Sequence, residues 1–217
     1  MYPMKPMRIQ IKLLTKENMD HTESHPKQIT TRLKQPSLAP SGPLLIYRAH
    51  AIKDSLASEL YRRLLDMSPW LQSNEIRSRR TGFTRKARKV GVDDPLFIEL
   101  VPYVESVLKL LDRSYTILGL YLNWYENEQS YTPSHRHETD QLVIFLGATR
   151  ILRVGSRDFS MEHGDAVLFG KQLHSVPRGN SLPASPRFPQ GRISIATFMV
   201  PFCLHDAVKS NVIYFER

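Results

Sequence analysis

Polar and proline-spotted positions fill residues 1–43, which end in Gln35-Pro36-Ser37-Leu38-Ala39-Pro40-Ser41-Gly42-Pro43. Such a stretch has too few apolar groups to offset the entropy of ordering it. It predicts a loosely ordered arm, with one short strand at Arg8–Leu14. From Leu44 the pattern changes. Leu56, Leu60 and Leu64 recur every four residues with Tyr61 and Leu65 beside them, the spacing of one helix face, and Asp54 stands where a cap belongs. Asp94-Pro95 marks a second helix start, a capping residue followed by proline at the first helical position. Val104, Val107, Leu108 and Leu111 supply its buried stripe, and Pro102 is expected to kink or restart it.

After Asp112 the period becomes two. Tyr115–Tyr125, Gln141–Leu146, Thr149–Val154, Ala166–Phe169 and Arg192–Val200 are short, β-branched or aromatic, and separated by turn residues, which predicts strands. Helices followed by a run of short strands predict an α+β fold, the helices buttressing one face of an antiparallel sandwich or barrel. The expected organisation is an arm over 1–43 and one domain over 44–217, helical over 44–112 and β-rich over 113–203.

Composition narrows the setting. A chain of 217 residues has room for one domain with a full core and not for two large ones. No apolar run reaches the roughly 18 residues of a spanning helix. Ile9–Leu14, interrupted by Gln10 and Lys12, is too short for a signal core. The single cysteine, Cys203, excludes an internal disulfide framework and any CxxC metal site. These features predict an intracellular monomer with no membrane partner. The net charge of +9 predicts a polyanionic partner, since the cations cluster. Arg77, Arg79, Arg80, Arg85, Lys86, Arg88 and Lys89 lie in one stretch without an acidic residue, close to Trp70 and Phe83. Cations interleaved with aromatics suit phosphate neutralisation and base stacking. A generally basic, soluble surface is the alternative.

The candidate chemistry lies in the strand region. Residues i and i+2 of a strand share a face, so His135 and His137 can reach one metal. A third histidine, His174, follows a buried strand and a turn, the route by which the far side of a small barrel returns a ligand. Three such ligands leave positions open for substrate. With eight histidines in the chain, chance pairs also occur, and spacing alone leaves metal binding open. His163, Asp165, Trp124 and His205 read as turn, turn-holding, packing and structural residues.

The order of these segments resembles a known family. From about Leu44 to Pro201 the sequence is similar to the AlkB-type Fe(II)/2-oxoglutarate-dependent dioxygenases. Asn123-Trp124-Tyr125 resembles the Asn-x-Tyr strand that binds the co-substrate, and His135 falls at the first iron histidine. Leu146-Gly147-Ala148-Thr149-Arg150 resembles the core strand that follows, and Glu162-His163-Gly164-Asp165 the turn before the last metal strand. His174-Ser175-Val176-Pro177 resembles the segment with the second iron histidine. Arg192-Ile193-Ser194 resembles the closing strand, whose arginine binds the distal carboxylate of 2-oxoglutarate. Arg80-Thr81-Gly82-Phe83 resembles part of the nucleotide-recognition lid.

The resemblance implies a double-stranded β-helix (jelly-roll) core and Fe(II) at His135, His137 and His174. It implies 2-oxoglutarate at Asn123, Tyr125, Arg192 and Ser194. The implied substrate is a modified base in nucleic acid, DNA or RNA, met by Arg80, Phe83 and Arg85, with Phe83 or Trp70 stacking on a flipped base. The implied reaction hydroxylates an N-methyl group, which then leaves as formaldehyde, while 2-oxoglutarate becomes succinate and CO2.

Two positions depart from the family. His137 stands where the family has an aspartate ligand, and Phe198 where a second closing-strand arginine is usual; a one-residue shift finds only Met199. Losing the aspartate alone would strand a buried arginine without its counter-ion, whereas losing both keeps the local charge balanced. The site therefore reads as remodelled as a unit. Three outcomes stay open: all-imidazole ligation, Glu138 or Asp140 standing in as the carboxylate, or a nucleic-acid-binding scaffold without turnover. A cupin-type metalloenzyme is a further alternative, since His135, His137, Gln141 and His174 follow a cupin-like order. It leaves Asn123, Tyr125 and Arg192 without a role.

Overall fold

The computed structural model describes residues 43–67, 70, 85–179 and 186–202, all within one compact unit spanning Pro43–Phe202. The arm over 1–42, Arg80, Phe83 and most of the basic run, Cys203 and His205 lie outside the described residues.

Helix α1 (Asp54–Leu65) forms where Ala57, Leu60, Tyr61 and Leu64 line one face, the i, i+3, i+4, i+7 stripe of a core-facing helix. Two expectations need correction here. Leu56 was expected in that stripe and is 38% exposed; Ala57 takes its place. Asp54 does not cap the helix. Lys53 occupies the cap position without a side-chain bond, and Asp54 is the first helical residue, ion-paired to Arg187. Its charge still sits at the positive end of the helix dipole. Helix α2 (Pro95–Leu110) is capped as expected: Asp94 accepts the Leu96 N–H at 2.9 Å and Pro95 follows. Pro102 does not restart it. The carbonyl that Pro102 leaves without a helical partner belongs to Ile98, whose side chain is 73% exposed, so water can satisfy it.

Ten strands form two antiparallel sheets. They are β1 (Leu45–Arg48), β2 (Lys86–Val90), β3 (Tyr115–Tyr125), β4 (Thr132–His135), β5 (Asp140–Gly147), β6 (Arg150–Val154), β7 (Arg157–Met161), β8 (Ala166–Phe169), β9 (His174–Val176) and β10 (Arg192–Pro201). The larger sheet runs β1-β8-β5-β10-β3-β2 and the smaller β4-β9-β6-β7. The helices cover the outer face of the larger sheet. Leu120, Leu122, Leu142, Ile144, Ile193 and Ile195 pack there with the helical leucines and valines. On the inner face Tyr125, Val143, Phe145, Val167 and Phe169 meet Leu152, Val154, Met161 and Val176. Alternate residues of β5 thus enter two different cores, which is why the strand reads Leu-Val-Ile-Phe-Leu and not as apolar–polar alternation. The fold is an α+β double-stranded β-helix with helices buttressing one sheet.

Candidate metal centre

His135 ends β4 and His174 begins β9, and the two are direct partners across the smaller sheet. His137 lies two residues beyond the end of β4 and folds back toward them. One ring nitrogen from each of the three lies within 4.8 Å of the others. Ring centroids are 4.2 Å apart for His135–His174, 4.9 Å for His135–His137 and 5.5 Å for His137–His174. A shared ion with bonds of about 2 Å needs donors roughly 3 Å apart, so side-chain rotation has a short distance to close. Two backbone carbonyls orient the rings. His135 Nδ1 bonds the Pro133 carbonyl at 2.9 Å and His174 Nδ1 that of Gln172 at 3.2 Å. Each Nδ1–H donates, so Nε2 keeps its lone pair for a metal.

Burial holds all three imidazoles neutral. It lowers His174 to about 3, helped by the charge of His135. It lowers His137 to about 4, with His135 and Arg85 adding to the effect. His135 is lowered by burial and, more weakly, by Arg85. Among the described residues, the metal-ligating group contains no carboxylate. Glu138 pairs with Lys171 at 3.6 Å, and Asp140 accepts the Tyr115 hydroxyl at 3.0 Å. At the position of the family's second arginine, the Phe198 ring stands edge-on to His137, with centroids 4.9 Å apart. A β-bulge at Phe198/Met199 bends β10 at that point.

The inner face of the larger sheet carries a second cluster. Arg192, Ser194, Ala196 and Phe198 alternate along β10, with Tyr125 opposite Arg192 and Asn123 opposite Ser194 on β3. Arg192 is 0% exposed. Its guanidinium lies 5.2 Å from the Tyr125 ring centre and 4.6 Å from that of Phe145. Nη1 donates to the Arg150 carbonyl at 3.3 Å, while Nε and Nη2 have no hydrogen-bond partner. Burial, with the nearby Arg150 charge adding to it, lowers this arginine to about 9. Asn123 is buried too, and its Oδ1 is likewise unpartnered. A buried cation without an acceptor is costly unless a ligand supplies one.

Neighbouring residues divide between support and chemistry. Arg150 is also buried, yet it donates to the carbonyls of Asn127, Ser130 and Pro177, tying loops together. Tyr125 Oη and Thr132 Oγ1 are 2.7 Å apart, and Arg85 Nη1 donates to the same Thr132 oxygen at 2.7 Å. Sequence reasoning missed Thr132 and the part played by Arg150. A threonine at a strand start carries no signal, and only burial separates Arg150 from a surface cation.

The described end of the basic run is largely committed. Lys86 pairs with Glu126 at 2.8 Å and Arg88 with Asp94 at 3.0 Å. Trp70 stacks near Trp124, with ring centres 5.6 Å apart, and packs with the helix-side core. That is the opposite face of the sheet from the histidines, which corrects the expectation that Trp70 could stack on a base. Asp165 holds its turn by accepting from Glu162 N, Tyr47 Oη and His50 N. His163 sits in that turn and accepts the Gly147 N–H at 2.7 Å through Nδ1. Its Nε2 therefore carries the proton and donates to Ser58 Oγ at 3.1 Å, so this serine–histidine pair cannot activate a nucleophile.

No family model matches the sequence, and no curated protein is similar to it by sequence. Among solved structures, the AlkB homologue OsALKBH1 is similar with a TM-score of 0.53 and 13% identity, over 74% of this chain and 100% of that one. A prolyl hydroxylase from Trichoplax adhaerens, in complex with a hypoxia inducible factor peptide fragment, gives 0.52 and 10% over 76% and 86%. HygX from Streptomyces hygroscopicus, with nickel and 2-oxoglutarate bound, gives 0.51 and 10% over 74% and 84%. The likeness is one of fold. It places the chain's double-stranded β-helix with those of AlkB-like and related 2-oxoglutarate oxygenases, as the order of its motifs implies.

Proposed function

We propose that this chain is an Fe(II)/2-oxoglutarate-dependent oxygenase of the AlkB type that acts on modified bases in nucleic acid, with oxidative demethylation as the outcome. The observation that carries the reading is Arg192: a fully buried guanidinium with two unpartnered nitrogens, in the same sandwich as three converging imidazoles. The donor set fits a divalent ion with an open coordination sphere, and the orphaned guanidinium fits a carboxylate. His135, His137 and His174 would hold the iron. Arg192, with Asn123, Tyr125 and Ser194 around it, would hold the distal carboxylate of 2-oxoglutarate. When bound, the pair supplies oxidation of a C–H bond, with 2-oxoglutarate leaving as succinate and CO2. The chain's own residues exclude water from that point, orient the co-substrate and present neutral nitrogen donors.

The substrate class rests on charge, since the fold suits a peptide equally well. The net charge of +9 favours a polyanion. Arg136, between two of the histidines, and Arg178, whose guanidinium lies 4.8 Å from the Tyr131 ring centre, are exposed beside the triad. The test is succinate release from 2-oxoglutarate with Fe(II), alone and with methylated DNA or RNA oligonucleotides. Stimulation by an oligonucleotide is expected. Salt-sensitive binding without turnover would point to a reader of nucleic acid, and stimulation by proline-containing peptides alone would overturn the substrate class.

A further inference from the structure

Arg85 is committed to the inner face of the sandwich, at the edge where the two sheets approach each other. It immediately precedes β2, whose first residue, Lys86, pairs with Trp124 of β3, so Arg85 comes level with Tyr125. Its guanidinium lies 6.0 Å from the Tyr121 ring centre and donates to Thr132 on β4 at 2.7 Å, crossing from the larger sheet to the smaller. On the other side of β3, Arg192 is the direct partner of Tyr125. Two guanidinium groups therefore bracket Tyr125 in one row across three strands. Neighbouring strands lie about 4.8 Å apart, so the two arginine backbones are separated by roughly 10 Å.

The electrostatics assign the two cations to different ends of the site. The Arg85 charge acts on His135 and His137, whereas Arg192 is influenced by Tyr125 and Arg150. Three neutral imidazoles give a divalent ion no negative charge, and the metal-ligating group contains no carboxylate. A metal, Arg85 and Arg192 together make a strongly cationic pocket that a dianion with a carboxylate at each end neutralises.

We propose that Arg85 is the second anion-binding residue of the site: it takes the carboxylate of the 2-oxo acid nearer the metal, while Arg192 takes the distal one. This assignment rests on the functional reading above. It places at the entry to β2 the positive charge that the closing strand lacks at Phe198.

The test uses the full chain with Mn(II), and compares Arg85→Met, Arg85→Lys and Thr132→Val with the wild type by calorimetry. Removing a cation beside the imidazoles should tighten Mn(II) binding without 2-oxoglutarate, while weakening 2-oxoglutarate binding to the Mn(II) form by about tenfold or more. Arg85→Lys should keep most of that affinity. Thr132→Val removes the bridge between sheets without changing charge, and should leave both affinities close to wild type. Arg85→Met weakening metal and 2-oxoglutarate together, and matched by Thr132→Val, would show a structural brace and overturn the assignment. So would 2-oxoglutarate binding indifferent to Arg85. Wild-type protein that binds Mn(II) but no 2-oxoglutarate overturns the functional reading itself.

Discussion

Arg192 is stabilised in place by the aromatic faces of Tyr125 and Phe145, but two of its nitrogens lack acceptors. Its value is for binding and its cost is to folding. Arg192→Met should therefore make the metal-free protein more stable, by about 1 kcal/mol or more in urea unfolding. The same variant should lower 2-oxoglutarate affinity by about 30-fold or more, as expected when one partner of a buried charge pair is removed. A destabilised variant would mean that the guanidinium is held by contacts sufficient without a ligand. His137 and Phe198 make the second residue-scale case. Their edge-on contact shows that the imidazole and the ring occupy the two altered positions together. His137→Asp should thus gain little iron affinity, because it sets a buried carboxylate against an apolar ring. Pairing it with Phe198→Arg should recover more, by direct metal titration. A large gain from the single change would indicate random erosion instead. His135, His174 and Arg192 were legible in the sequence because the order of motifs identified them. The absence of a stand-in carboxylate was not, because the partners of Glu138 and Asp140 exist only in three dimensions.

The elements aim these residues through their registers and turns. Arg192 follows Gly191, which has φ +85°, and a Cβ there would stand 2.1 Å from the Tyr125 carbonyl oxygen. Gly191→Ala should cost about 2 kcal/mol or more and weaken 2-oxoglutarate binding, because the strained turn misdirects Arg192. Unchanged stability in urea and unchanged affinity would remove this turn from the account. The long strands β3, β5, β8 and β10 were readable to within a residue or so, since their apolar runs are bounded by turns. The short strands β1, β2, β4, β7 and β9 were not. β2 is Lys-Ala-Arg-Lys-Val and β4 is Thr-Pro-Ser-His, and neither carries an apolar pattern. They are strands because a neighbour offers backbone partners, a tertiary cause that periodicity does not register. That gap hid the placement of Arg85, which the sequence grouped with a nucleic-acid surface.

At the scale of the molecule, the buried histidines couple the site to folding. In the native chain His137 titrates at about 4 and His174 at about 3, against an ordinary value of 6.5. Between those values the unfolded chain binds more protons, so stability is fully present above about pH 6.5 and is lost as pH falls toward 4. Urea midpoints of the metal-free protein should fall across that window, and the fall should be shallower in His137→Gln and His174→Gln. A flat profile in the wild type would contradict the burial argument. No helix among the described residues is long and apolar enough to cross a membrane. The charge surplus was plain in the sequence, but the commitment of Lys86 and Arg88 to Glu126 and Asp94 was not. The account as a whole stands on a metal site built from neutral donors inside a cationic pocket. In such a site the metal and the dianion must strengthen each other's binding by the same factor. The direct measurement is an anaerobic Fe(II) titration with and without saturating 2-oxoglutarate. The predicted result is Fe(II) binding tightened by about tenfold or more, abolished in His174→Ala. Fe(II) affinity that ignores 2-oxoglutarate, or survives loss of His174, would contradict it.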